Sequence, residues 1–366
     1  MNAVTVDKLQ TIKQSVAAMM EERESEDIKP VFKVNQLWGN IDRFMEYVRH
    51  LPPEQLENIR AHIGMGFFIG NAWDKDFHDG HRISSDAEAI GHPLIERYLN
   101  HTEGLPEDFH CSEPGTNDLV AQIGIRYKDR IINHDIVKEQ ACIANLYNLG
   151  VLAPLHGNSW VIAEVGSGYG QLAHQLSRGL GKSGCYICID YPETLFLSST
   201  FLSLNNAPDS IYVYDPAATE TMDIAELTTR YRFIMLPNYL SDRLQELRTL
   251  DLVVTQNSMQ EMTEEQVRYY LELFSRIMAG WIYSYNSNRQ FMNLELKTPI
   301  FELLMNYFEG WPPSSFYKKL YGDTWHLSDQ KYLFLGHRKG NAAPRRSLGA
   351  SGAVWISGRR AVIDVC

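Results

Sequence analysis

The apolar positions change their rhythm along the chain. Between residues 1 and 110 they recur at helical spacing: Val4, Leu9, Ile12, Val16 and Met20 precede an acidic, solvated run from Glu21 to Asp27. Pro52-Pro53-Glu54 opens a second helix carrying Leu56, Ile59 and Ile63, because proline is tolerated in a first turn. Asp86 begins another, broken near Gly91 and Pro93. Between them, Asn71 to Arg82 is polar and aromatic without a period and reads as loop, as does the Phe67-Phe68 to Phe77 stretch that overlaps it.

Beyond about residue 130, short apolar runs alternate with amphipathic stretches. The pattern predicts helices over 137–149, 171–180, 193–204, 264–278 and 297–308. It predicts strands over 160–165, 185–190, 251–255, 281–285, 316–321 and 331–335, with 211–214 and 233–236 competing for the third-strand position. Strands joined by helical crossovers imply an α/β fold with a doubly wound, mostly parallel sheet. The expected organisation is a helical N-terminal region over 1–110, the sheet domain over 111–339, and a disordered tail over 340–366, where Gly, Ala, Ser and Arg follow one another without a period.

Charge narrows the partners. The chain has 34 Lys and Arg against 45 Asp and Glu, a net −11, which argues against nucleic acid as a partner. No run approaches the ~18 consecutive apolar residues of a membrane span, and the first residues lack the order of a signal peptide. The expected location is therefore cytoplasmic, away from membranes. Five Cys, an odd number, do not form a disulfide framework. Cys185 and Cys188 lie in an apolar strand on opposite faces and read as core. His62, His78, His81, His92, His101 and His110 crowd one stretch beside Cys111, but no second ligand pair stands at a zinc spacing, so no metal is expected.

The run Glu164-Val165-Gly166-Ser167-Gly168-Tyr169-Gly170 places three alternate glycines between a strand and a helix. Glycines there permit a tight turn and close approach of a ligand to the backbone. Glu164 ends an otherwise apolar strand, where a carboxylate costs desolvation unless a cation or donor answers it. Asp190 ends the next strand, placed to accept hydrogen bonds from ribose hydroxyls. The spacing is not the GxGxxG of dinucleotide enzymes, and a carboxylate beside a pyrophosphate would be unfavourable. A ligand with a ribose, no phosphate and a positive charge fits, and S-adenosylmethionine is such a ligand.

These motifs resemble motifs I and II of class I methyltransferases. With Tyr191-Pro192-Glu193 after Asp190 and the run Asn257-Ser258-Met259-Gln260-Glu261-Met262, residues 112–338 are similar to the bacterial sugar O-methyltransferase family. The resemblance implies a Rossmann-like, seven-stranded sheet and methyl transfer from S-adenosylmethionine to a sugar or glycan hydroxyl. It further implies cofactor contacts from Glu164, Gly166, Ser167, Gly168, Tyr169, Gly170, Asp190, Tyr191, Pro237, Gln256 and Asn257. For adenine it favours Leu236-Pro237-Asn238 over Tyr214-Asp215-Pro216, and both stay open. Alternatives are a methyltransferase for a non-sugar natural product and a catalytically silent cofactor-binding subunit.

Transfer to a hydroxyl needs alignment and a base. Glu261 follows the fourth strand, just before the Thr263-Glu264-Glu265-Gln266 capping box, where a helix N-terminus should keep it ionised. It is expected to act as base, with Gln260 on the substrate; the other reading is that it only complements the helix dipole. His326 is a second candidate base, and Trp325, Tyr321 and Trp311 could stack on a sugar face. The N-terminal helices are expected to form a lid or a homodimer contact over the acceptor side.

Overall fold

The computed structural model describes residues 3–35, 38, 51–52, 56, 59–62, 86–114, 124–181, 183–218, 223–288, 293–312, 315, 318–319, 322, 330–341, 353–356 and 359–362. The helices are α1 (Ala3–Arg23), α2 (Ile59–His62), α3 (Asp86–Ile90), α4 (Pro93–Thr102), α5 (His134–Asn148), α6 (Gln171–Leu180), α7 (Pro192–Asn205), α8 (Ile224–Arg230), α9 (Glu264–Ile277) and α10 (Ile300–Tyr307). A small antiparallel pair, β1 (Ile125–Tyr127) and β2 (Arg130–Ile132), precedes the main sheet. That sheet contains β3 (Trp160–Val165), β4 (Gly184–Asp190), β5 (Ile211–Val213), β6 (Phe233–Pro237), β7 (Leu252–Gln256), β8 (Trp281–Ser287), β9 (Phe308–Trp311) and β10 (Lys331–Arg338).

Its order is β5-β6-β4-β3-β7-β8-β10-β9. The pairs from β5 to β8 are parallel, and β10 runs antiparallel to both β8 and β9. The fold is Rossmann-like and doubly wound. Helices cover both faces, so β3 and β4 are almost continuously buried and apolar. Strand order reverses between β3 and β7, which opens a crevice at their carboxyl ends.

Among the described residues the sheet has eight strands, one more than expected. The two segments that compete in sequence both join it: β6 pairs with β4, and β5 adds an edge outside β6. A strand that the sequence pattern does not anticipate, β9, precedes the segment 316–321. The apolar spacing that reads as helix through Phe308 ends at Tyr307, and Gly310 then admits the Phe334 ring, which a Cβ would strike. Lys318 and Lys319 are helical, and the rest of 316–321 except these lies outside the described residues. Within 340–366, β11 (Ala353–Ile356) and β12 (Arg359–Val362) pair antiparallel, and β11 runs beside α5 and β10.

In the N-terminal region, Leu9, Ile12, Val16 and Met19 form the buried face of α1, which packs on α7. Arg23 at its end donates to both carboxylate oxygens of buried Glu193, each at 2.7 Å. The Phe67 to Phe77 loop, His78 and His81 lie outside the described residues. Cys185 and Cys188 are fully buried. No described helix is long and apolar enough to cross a membrane.

Candidate active site

The glycine loop joins β3 to α6 at the switch point. Gly166, Gly168 and Gly170 have φ of 79°, 56° and 87°, the left-handed region that favours glycine. A Cβ on Gly166 would strike the Ser258 side chain, so this glycine also lets the loop after β7 press against the first turn. Gly170 is the N-cap of α6.

Asp190 is held by this turn. Its carboxylate accepts from the Gly168 amide at 3.0 Å and the Tyr191 amide at 2.8 Å. Burial nevertheless pushes its pKa up to about 7 against those donors. Glu164, on the neighbouring strand, accepts from the Tyr186 hydroxyl at 2.9 Å. Burial and the nearby Glu139 charge push it up to about 8. Two adjacent strands thus end in carboxyl groups that a cation or donor would stabilise in the charged form.

The loop after β7 forms the facing side. Asn257 has φ 55°, a left-handed conformation that asparagine tolerates better than most residues. Asn286 holds the next turn by accepting from the amides of Ser258 at 2.9 Å and Met259 at 3.1 Å. Gln260 accepts from the Ser287 amide at 2.7 Å, and the Glu261 carbonyl accepts from Asn35 at 2.7 Å. The Glu261 carboxyl is pushed up to about 7, chiefly by burial, with Lys331 and Lys138 pulling the other way. This reverses the expectation of a carboxyl kept readily ionised by the helix N-terminus.

A cavity of about 410 Å³ lies between these elements. It is lined by Glu164, Gly166, Ser167, Gly168, Tyr169 and Asp190, and equally by Tyr191, Gln256, Asn257, Gln260 and Glu261. Gly170 and Pro237 are not on its wall. Gly170 instead packs against Leu202, and Pro237 pairs with Asp190, which brings the next residue, Asn238, to the cavity. Asp215 does not line it, whereas Asn238 does, so of the two adenine candidates only the Leu236-Pro237-Asn238 segment borders the cavity. His326, Trp325 and Tyr321 lie outside the described residues. Trp311 pairs with Leu335 in the outer part of the sheet and does not line the cavity, contrary to its expected place beside the acceptor.

Several wall residues escape sequence reasoning. Gln171, the first residue of α6, is buried with neither side-chain polar atom partnered among the described residues. Gln256 Oε1, Asn238 Oδ1 and Asn257 Oδ1 share that condition. Buried polar atoms without partners are costly, so this wall suits a polar ligand. For Gln171 the position directly after the glycine loop was the available signal, whereas Gln256, Asn257 and Asn238 are among the expected contacts. Lys138 and Glu139 enter from α5, paired at 2.9 Å, while Glu139 accepts from Gln256 at 2.9 Å. Lys331 enters from β10. Val31, Phe32, Asn35 and Trp38 close one side. Gln266 ties this strap down, donating to the Val31 carbonyl at 2.9 Å while its side-chain oxygen accepts from the Thr263 amide at 3.0 Å.

Tyr169 is fixed from behind. Its hydroxyl donates to Asp135 at 3.0 Å, and the Arg60 guanidinium lies 4.5 Å from its ring centroid. Arg60 in turn bonds Glu113 at 2.6 Å and Asp135 at 3.2 Å. Both acids are buried, so the guanidinium is charge-compensated where it would otherwise be prohibitive.

No family model and no curated protein matches the chain. Among solved structures it is similar to Aeropyrum pernix fibrillarin in complex with S-adenosyl-L-methionine, at 12% identity over 54% of this chain and 72% of that one, with a TM-score of 0.33. It is also similar to magnesium protoporphyrin IX methyltransferase from Synechocystis with the same ligand bound, at 11% identity over 69% and 94%, with a TM-score of 0.34.

Proposed function

We propose that this chain transfers a methyl group from S-adenosylmethionine to a hydroxyl of a sugar or glycan. The observation that carries the reading is the pair of acids, Glu164 and Asp190, ending adjacent parallel strands around a left-handed glycine turn. The cavity adds Glu139 and Glu261, four carboxyl groups against the two ammonium groups of Lys138 and Lys331. That balance favours a cationic ligand over a pyrophosphate. Asp190, fixed by two amides, keeps lone pairs for ribose hydroxyls. Asn238, Gln171 and Gln256 hold unpartnered polar atoms that fit a nucleoside and an amino acid group.

When bound, S-adenosylmethionine supplies a methyl group activated by its sulfonium: a C–O bond forms, the C–S bond breaks, and its electron pair stays on sulfur. Glu261 is the base that takes the hydroxyl proton, and Gln260 orients the acceptor beside it. The sugar acceptor is supported by the Asn-Ser-Met-Gln-Glu-Met run, whose Gln260 and Glu261 face the same cavity as Asp190.

Calorimetry with S-adenosylmethionine, S-adenosylhomocysteine and NAD tests the cofactor. Both sulfur ligands should bind, and Asp190→Ala should weaken them at least tenfold. Binding of NAD alone would sink the reading. Release of S-adenosylhomocysteine on adding nucleotide sugars, free glycans or phenols then identifies the acceptor, and turnover confined to phenols would reject the sugar.

A further inference from the structure

Tyr169 stands between Gly168 and Gly170, both in the left-handed region. Glycine loses more conformational freedom on ordering than any other residue, so a turn built this way gains little stiffness from its own backbone. The large side chain in its middle is what the rest of the molecule can hold. It is held at three points: the hydroxyl donates to Asp135 at 3.0 Å, the Arg60 guanidinium lies 4.5 Å from the ring centroid, and the Phe201 ring meets it at 5.2 Å and 89°.

Arg60 governs two of the three. Its Nη2 donates at 3.2 Å to the same Asp135 oxygen that accepts from the Tyr169 hydroxyl. Its Nε donates to Glu113 at 2.6 Å, and Glu113 also accepts from Asn133 at 2.7 Å. Asn133 is the N-cap of α5, where it accepts from the Ile136 amide at 2.9 Å, and Asp135 is the second residue of that helix. Arg60, Glu113, Asn133, Asp135 and Tyr169 are all buried. A planar guanidinium can serve two carboxylates at its edge and a ring on its face at once, which a lysine ammonium cannot match. One side chain from α2 thus ties the glycine turn to the start of the helix that brings Lys138 and Glu139 to the cavity.

We propose that Arg60 is a positioning residue for the cofactor: through Asp135 and Tyr169 it holds the glycine turn in its binding conformation before the ligand arrives. The proposal rests on the methyltransferase reading and adds that the N-terminal region helps to set cofactor affinity. A site that is only fractionally in its binding conformation has its affinity reduced by that fraction. Loosening the turn therefore weakens binding while leaving the complex, once formed, in the same arrangement.

Amide hydrogen exchange of the peptide spanning 166–171, with calorimetry of S-adenosylhomocysteine, tests this in the full chain. Tyr169→Phe removes the hydroxyl bond and keeps the ring. Arg60→Lys loses the fork but keeps a charge between Glu113 and Asp135, whose uncompensated burial would endanger folding. In each variant without ligand, exchange over 166–171 should accelerate about tenfold while exchange in α9 stays as it was. S-adenosylhomocysteine should bind each about tenfold more weakly, and saturating ligand should restore slow exchange in the turn. Because both substitutions act on one contact, the double variant should lose clearly less affinity than the product of the two single losses. Unchanged exchange and affinity in the single variants overturns the proposal. So do losses that multiply in the double variant, and so does acceleration in α9 equal to that in the turn, which would mark Arg60 as a general support of the fold. If S-adenosylhomocysteine fails to bind the unmodified protein, the methyltransferase reading falls, while exchange of the ligand-free turn still decides whether Arg60 holds it.

Discussion

Glu261 stands between two opposing influences, and magnitude decides between them. A helix N-terminus favours a nearby carboxylate by about 0.3–1 kcal/mol, less than one pKa unit at ~1.4 kcal/mol per unit. Burial acts on the same group and moves it from 4.5 to about 7. Desolvation wins, and the result suits a base better than the expected low value, because proton transfer is most efficient when the pKa lies near the working pH. The rate of methyl transfer should therefore rise with pH and level off above about 7, since the ionised form is the active one. Glu261→Gln should lower that rate at least ~100-fold and flatten the rising limb, while leaving cofactor affinity in place. Stopped assays across pH 5.5–8.5 would check both effects. A loss below tenfold with the limb intact would transfer the role to another group, His326 first.

The elements that carry the cofactor side were legible because each is specified locally. Parallel strands covered on both faces are continuous apolar runs, and Thr263 and Gln266 announce the start of α9 within four residues. The acceptor side was less legible, since it is assembled by contacts distant in sequence. Nothing near Lys331 indicates that an antiparallel strand will carry it to the edge where Glu261 lies. The second task of Gln266 is similarly hidden: its amide nitrogen donates to the carbonyls of Val31 and Lys33 and to the Tyr191 hydroxyl. Gln266→Glu separates the two tasks, for a carboxylate still caps Thr263 but cannot donate. Leaving a carbonyl unpaired costs ~1–3 kcal/mol, or roughly a tenfold effect or more. Cleavage of the 24–35 segment by limited proteolysis should accelerate about tenfold, with S-adenosylmethionine binding weakened and the melting temperature changed by only a few degrees. Unchanged cleavage and affinity would show that the strap is held by other contacts.

At the scale of the whole molecule, Glu164, Asp190 and Glu261 give stability a common pH dependence. Each has a folded pKa raised by burial, to about 8, 7 and 7. Between the ordinary carboxylate range and those values the folded state binds more protons than the unfolded one. The stabilisation they contribute is present in full below about pH 4 and is lost as pH rises through 7 to 8. Ligand-free protein should thus melt at progressively lower temperature from pH 5 to 8, and Glu164→Gln should make the decline shallower. A melting profile of equal slope in the variant would show that Glu164 is already ionised in the folded protein.

The buried pair of Arg23 and Glu193 has a bearing on synthesis. Their 170-residue separation means that α1 leaves the ribosome long before the helix on which it rests has been made. At ~5–20 residues per second, that interval is on the order of ten to thirty seconds. Throughout it, Leu9, Ile12, Val16 and Met19 lack their eventual covering. Newly made chains should therefore depend on chaperones that hold nascent apolar segments, and slowing translation before codon 193 should lengthen that dependence.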